Sequence, residues 1–341
     1  MERYKALALQ VTCEAVNKTK DKVEAEVIML KTINRIDQQI RASKAFIGRD
    51  TRLVVLPEYF LTSFPLGESI EQWRDKACLE IGGKIYEALG TVAQKHDVFL
   101  SGNAYELDPH FPKLYFQTSF IIDPSGEVVL RYRRLNSMFA PTPHDVWDRY
   151  LDIYGLEAVF PVTETAIGRL ACIASEEILY PELARCLMMR GAELFLHSSS
   201  EVGSPILTQK NVAKLARAIE NIAYVVSANS AGISDIAIPF ASTDGGSKIV
   251  NYEGLVLAEA SPGESIVAHA SIDLPALRHQ RQRVAMSNYI ARQRFELYAE
   301  SYTKHSFYPA NTISENPDFS KKDFITKQLE VVKKLSEREV I

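Results

Sequence analysis

Gly168-Arg-Leu-Ala-Cys-Ile-Ala-Ser175-Glu-Glu-Ile-Leu-Tyr-Pro181-Glu182 decides how the rest of this chain is read. Leu170 to Ala174 form a short apolar run, the pattern of a strand covered on both faces. Pro181 suits the first turn of a helix, where its missing N–H leaves nothing unpaired. Ser175 therefore falls at a strand-to-helix corner, at the carboxyl end of a strand, where α/β proteins present reactive side chains.

Upstream, residues 5–12 predict a first strand. Asp21 to about Ala45 predicts a long helix, with Val23, Val27, Leu30, Ile33, Ile36 and Ile40 at three-to-four spacing on the inward face. Arg52-Leu-Val-Val-Leu-Pro57-Glu58 reads as an apolar strand, Gly83–Lys95 as a helix and Val98–Tyr105 as a strand. Tyr115–Ile122 and Val128–Arg134 pair as a hairpin across Asp123-Pro-Ser-Gly126. Residues 135–160 read as irregular, with Trp147 and Tyr150 as aromatic anchors. Downstream come a strand at Ala192–His197, a helix at Pro205–Ile222 and a strand at Ala223–Ser230. Strands at Ser247–Asn251, Leu255–Ala260 and Ser265–Ile272 follow, then a short helix from Pro275. Alternation followed by a run of strands fits two mixed sheets packed face to face with helices outside. We expect one domain at 1–287 and a C-terminal extension at 288–341. That extension reads as an oligomer-contacting arm and a charged tail.

At 341 residues the chain can bury a large core, and 46% hydrophobic with 24% charged residues is ordinary for a globular protein. A net charge of −4 gives no reason to expect nucleic acid or an anionic membrane surface as partner. No run approaches the roughly 20 apolar residues of a spanning helix, and Met1–Gln10 lacks the apolar core of a secretory signal. The four cysteines, Cys13, Cys78, Cys172 and Cys186, have neither metal-ligand nor disulfide spacing. A cytoplasmic, reduced protein without a metal is the expectation.

Five blocks in order resemble the nitrilase (carbon–nitrogen hydrolase) superfamily, over roughly residues 5–285. They are Leu56-Pro57-Glu58-Tyr59, Gly126-Glu-Val-Val-Leu-Arg-Tyr-Arg133-Arg134-Leu135, Gly168 to Glu182, Ala216-Arg217 through Asn229, and Gly246-Ser247-Lys-Ile-Val250. The resemblance implies an α/β fold with a four-layer α-β-β-α sandwich, no cofactor, a small-molecule ligand or substrate, and a homodimer or higher homo-oligomer. It also implies a glutamate acting as base toward a nucleophilic cysteine, and a lysine stabilising charge on the attacked carbonyl or nitrile. A second acid often follows the lysine. Carried over residue by residue, Glu58 holds the base position, Arg134 the lysine position and Ser175 the cysteine position. Asp145, in Pro141-Thr-Pro-His144-Asp145, takes the place of the second acid, and Glu177 that of a supporting acid.

The two replacements change the chemistry. A thiol has a pKa of ~8.5 and ionises with modest help. A serine hydroxyl normally needs an aligned histidine relayed by an acid. A guanidinium keeps the charge but is planar and bulkier than an ammonium. Cys172, an odd number of residues before Ser175 on a strand, faces the opposite way and reads as a core cysteine. His197 reads as a hydrogen-bonded core histidine. His144 is a candidate ligand contact; a Ser175–His144–Asp145 unit is the weaker reading, because adjacent residues seldom aim at one point. Arg217 and Glu220 read as a helix-surface pair, and Glu176 as solvated. Two functions stay open. One is a superfamily member that has lost hydrolysis and binds a small ligand, with Arg134 inviting a carboxylate, or serves as an assembly or regulatory subunit. The other is an active amidase- or nitrilase-type hydrolase with altered nucleophile chemistry, Glu58 as base and Arg134 as oxyanion or substrate clamp.

Overall fold

Alternation along the strands sorts side chains into two layers. Ala6, Ala8, Leu53 and Val55 point into one apolar cluster, while Leu7, Leu9, Val54 and Leu56 point into another. The first cluster lies between two sheets; the second lies between one sheet and its covering helices. The structure, a computed structural model, describes residues 3–202, 204, 207–313 and 319–341.

Each sheet has six strands. The first runs, in spatial order, His269–Asp273, Arg3–Ala8, Thr51–Val55, Phe99–Leu107, Tyr115–Ile122 and Val128–Arg133. The second runs Val256–Glu259, Lys248–Val250, Tyr224–Ala228, Leu194–Ser198, Gly168–Ala174 and Thr163–Thr165. In both, three central strands are parallel and the flanking strands antiparallel. The sheets meet face to face: Tyr4 of the first donates its hydroxyl to the Ile167 carbonyl beside the second, 2.8 Å away. Helices Lys22–Ile47 and Lys84–His96 cover the first sheet, and Pro181–Met189 and Gln209–Asn221 the second. This is the expected mixed α/β fold, with helices flanking two packed sheets.

Several details differ from expectation. On the first long helix Val23 and Val27 are 71% and 63% exposed. The buried stripe runs instead through Ala25, Met29, Ile33, Ile36 and Ile40, because a small alanine and a methionine fit the helix–sheet seam. Residues 135–142 are irregular as expected, but 143–158 are not. A 3-10 turn at Pro143–Val146 leads into a helix at Trp147–Tyr154. The helix expected from Pro205 begins at Gln209; Pro205 itself lies outside the described residues. The charged C-terminus forms a helix at Lys321–Glu337, tied down by Phe324, which is buried and meets Phe319 edge-on. Segment 308–313 runs against His144–Asp148: the Asn311 and Ile313 amides donate to the carbonyls of His144 and Asp145. These two parts of the extension thus pack on their own chain, while the helix Glu296–Lys304 buries no residue.

Candidate active site

Three strands deliver the site. Thr51–Val55 and Leu194–Ser198 lie in opposite sheets, and their carboxyl ends are stitched together: Ser198 Oγ donates to the Leu56 carbonyl at 2.8 Å, and the Glu58 amide donates to the Ser199 carbonyl. Glu58 emerges there, 1% exposed. Gly168–Ala174 ends at Ser175, which opens a 3-10 turn over Ser175–Leu179. Ser175 has φ +50°, the left-handed region that a non-glycine residue occupies at a cost of about 1–3 kcal/mol. Arg217, on the Gln209–Asn221 helix, holds this turn by donating to the Ile178 and Leu179 carbonyls at 3.0 and 3.3 Å. It also pairs with Glu220 at 2.6 Å, but it is buried and not the helix-surface residue expected.

Arg134, at the end of the Val128–Arg133 strand, reaches into this corner, and each of its three nitrogens is paired. Its Nη1 donates to Glu58 Oε1 at 3.2 Å and to Gln117 Oε1 at 2.7 Å. Its Nε donates to the Asn136 carbonyl, and its Nη2 forms an ion pair with Glu176. Gln117 turns its amide the other way, donating to Glu58 Oε1 at 2.7 Å. Burial works against the guanidinium's charge, but Tyr59, Glu58, Glu176 and Glu177 more than offset it and hold the proton above the ordinary arginine range. Burial, together with the charge of Glu58, raises the neighbouring Tyr59 phenol well above its usual value. Arg134 therefore joins Glu58 to Glu176, the residue next to Ser175, and the site is closed by its own side chains.

Glu177 is a supporting group. It accepts from Tyr132 Oη at 2.7 Å and from the Leu135 and Asn136 amides at 2.8 Å each, so it anchors the loop that follows Arg134. Burial pushes its carboxyl up to about 6, and Arg134 and these donors only partly offset that. Asp145 does not reach Arg134 or Glu58. It caps its own turn, accepting from the Thr142 amide and hydroxyl, and takes a further hydrogen bond from Thr312. Its short side chain is consumed locally. Glu176, expected to be solvated, is the partner of Arg134 instead.

Among the described residues nothing hydrogen-bonds the Ser175 hydroxyl. His197 touches Ser175 only through the main chain, its Nε2 donating to the Ser175 carbonyl at 2.8 Å while Nδ1 meets Ser227 Oγ at 2.8 Å. Burial, and the Lys214 charge after it, lower His197 to about 3, so it is a neutral brace for the turn. Cys172 is fully buried, with its sulfur toward Ser101 at 3.8 Å and its thiol pushed up to about 12 by burial. It is the core cysteine expected.

Beside Glu176 opens a cavity of about 630 Å³, lined by Asn136, His144, Asp145, Trp147, Tyr180 and Tyr308 among others. Glu58, Arg134 and Ser175 do not line it; Glu176 stands between.

A fold of two helix-flanked mixed sheets with a glutamate, a cation and an elbow residue at their shared edge is that of carbon–nitrogen hydrolases, and the comparisons agree. The carbon-nitrogen hydrolase family profile matches residues 20–282, and the chain belongs to that family. It is 26% identical over 262 residues to a formamidase of Helicobacter acinonychis, covering 76% of this chain and 70% of that protein. It is 28% identical over 280 residues to the nitrilase and fragile histidine triad fusion protein NitFhit of Caenorhabditis elegans, covering 80% of this chain and 61% of the fusion. Among solved structures, a carbon-nitrogen hydrolase from Helicobacter pylori superimposes with a TM-score of 0.66 at 20% identity, over 89% of this chain and 100% of that one. Saccharomyces cerevisiae Nit3, of the nitrilase superfamily, superimposes with a TM-score of 0.64 at 21% identity, over 84% and 95%.

Gln117 and Arg217 went unread in these roles. Gln117 sits in the run Tyr115-Phe-Gln-Thr-Ser-Phe-Ile-Ile122, and a lone amide inside a buried strand needs partners. That was the available signal.

Proposed function

We propose that this carbon–nitrogen hydrolase family member lacks ordinary amidase and nitrilase turnover and acts by binding a small molecule, or as a regulatory subunit of a homo-oligomer. In this reading Glu58, Arg134 and Ser175 stand where family chemistry uses an acid, a lysine and a cysteine. The supporting observation is the closed network around Arg134. Each of its three nitrogens is already paired, to Glu58, Gln117, Asn136 or Glu176, so the charge that would meet a developing oxyanion is shared among carboxylates and amide oxygens. Glu58 takes both Arg134 and Gln117 on one oxygen, and among the described residues no hydrogen bond joins a base to the Ser175 hydroxyl.

Formamide, short aliphatic amides and aliphatic nitriles are the substrates to test, since formamidases are among the relatives. We expect ammonia release from the purified full chain to match that of Ser175→Ala. Turnover that disappears in Glu58→Gln would refute the reading. One observation favours the alternative, a hydrolase with altered nucleophile chemistry: Ser175 keeps the left-handed elbow conformation of a presented side chain. That alternative requires Ser175→Ala to abolish a measurable activity.

A further inference from the structure

The charge around the cavity does not match the carboxylate ligand that an arginine suggests. Two carboxylates line it, Glu176 and Asp145, and among the described residues no lysine or arginine does. The one histidine in its wall, His144, is half-buried, and burial lowers its proton affinity, with Asp145 offsetting this only in part. Arg134 lies behind Glu176 and is already paired to it and to Glu58. Arg134 is already offset by Glu58, Glu176 and Glu177, and Asp145 adds a further carboxylate to the cavity wall. An incoming anion would have to displace Glu176 and then sit beside Asp145. An incoming cation meets Glu176, whose side chain keeps 34% of its surface exposed.

The apolar part of the wall favours the same sign. Trp147, Phe160, Tyr180 and Tyr308 all line the cavity, and aromatic faces attract ammonium and guanidinium groups. A volume of about 630 Å³ is in the range of small-molecule sites. Tyr308 comes from the C-terminal extension, whose hydrogen bonds to His144 and Asp145 fix it as a wall of this cavity. We infer that the cavity bounded by Glu176, Asp145 and these four aromatic side chains selects a small organic cation, an amine or guanidinium compound with an apolar body. The inference rests on the binding reading above, and makes the ligand's charge opposite to the one Arg134 suggests.

Isothermal titration of the full chain with benzyltrimethylammonium, phenylacetate and benzyl alcohol tests it, because these probes share a ring and differ in charge. The cation should bind at least roughly tenfold more tightly than phenylacetate, and more tightly than the alcohol. Glu176→Gln should erase that preference and strengthen phenylacetate by unmasking Arg134. Tyr308→Ala should weaken the cation and leave phenylacetate unchanged. Equal or tighter binding of phenylacetate to the unaltered chain overturns the inference, and so does absence of cation binding at about 10 mM, a concentration that would detect even a very weak site. Ammonia release from the amide panel, measured on the same samples, keeps the two readings apart. Cation binding with Glu58-dependent turnover would defeat the loss of hydrolysis alone, and no binding without turnover would defeat the cation preference alone.

Discussion

Replacing Arg134 by methionine tests whether the guanidinium holds the site closed. Methionine keeps much of the aliphatic stem while removing every donor. The Arg134 and Glu58 side chains are 5% and 1% exposed, so Glu58 would be left buried with only the neutral Gln117 amide and Tyr59 hydroxyl as hydrogen-bond partners. Removing one partner of a buried pair costs about 3–5 kcal/mol. Glu176 adds little, because it is part-exposed and can turn to water. The Gln117 and Asn136 oxygens also lose a donor. We therefore expect Arg134→Met to lose about 4 kcal/mol at neutral pH, a large share of a typical domain's 5–15 kcal/mol. Urea unfolding followed by the fluorescence of Trp73 and Trp147 measures it, with an unchanged urea slope as the check that the same transition is compared. The double variant Arg134→Met with Glu58→Gln removes the orphaned charge and should recover most of the loss. The deficit should also shrink as pH falls, because protons taken up by the orphaned carboxylate stabilise the folded variant. A loss under about 1 kcal/mol, or a double variant no better than the single, would refute the reasoning.

Two further outcomes follow from buried titratable groups. Glu177 is raised from 4.5 to about 6 in the folded protein, so the folded state binds its proton more tightly than the unfolded chain. The resulting stabilisation is full below pH 4.5 and is lost as pH rises through about 6, by roughly 2 kcal/mol. Glu177→Gln keeps an acceptor for the Leu135 and Asn136 amides and should flatten that decline in stability; an undiminished slope between these pH values would show that another group causes it. Maleimide labelling of the native chain should modify Cys186 alone, and slowly, since burial raises its thiol while Cys13, Cys78 and Cys172 are fully enclosed. Rapid native labelling of Cys172 would mean the strand before Ser175 opens.

Where local pattern and tertiary demand agree, the chain was readable. The apolar run Leu170–Ala174, the proline at 181 and the turn at Asp123–Gly126 each specify their conformation locally, and each was found as expected. Ile70–Ala77 was missed because its composition is polar; a capping box from Ser69 and Gln72 and the buried Trp73 hold it instead. The Lys321–Glu337 helix was hidden by its charge, although Phe324 and a Ser320–Asp323 capping box mark it. In the site, Glu58, Arg134 and the Ser175 corner were legible because motifs at strand ends report position. That Arg134 is neutralised by Glu176, and not by Asp145, was not legible. Which carboxylate reaches a given cation depends on side-chain length and on competing local donors, here those of Thr142 and Thr312.

The two sheets repeat one plan, and the strand ends bearing Glu58 and Ser175 converge from opposite sides of a shared apolar interior. Aliphatic side chains fill that interior, and at its rim Ser198 and Glu58 tie one sheet to the other by hydrogen bonds. The rim that carries Glu58 and Ser175 is therefore also a seam of the scaffold, and a change made there is felt by both sheets at once.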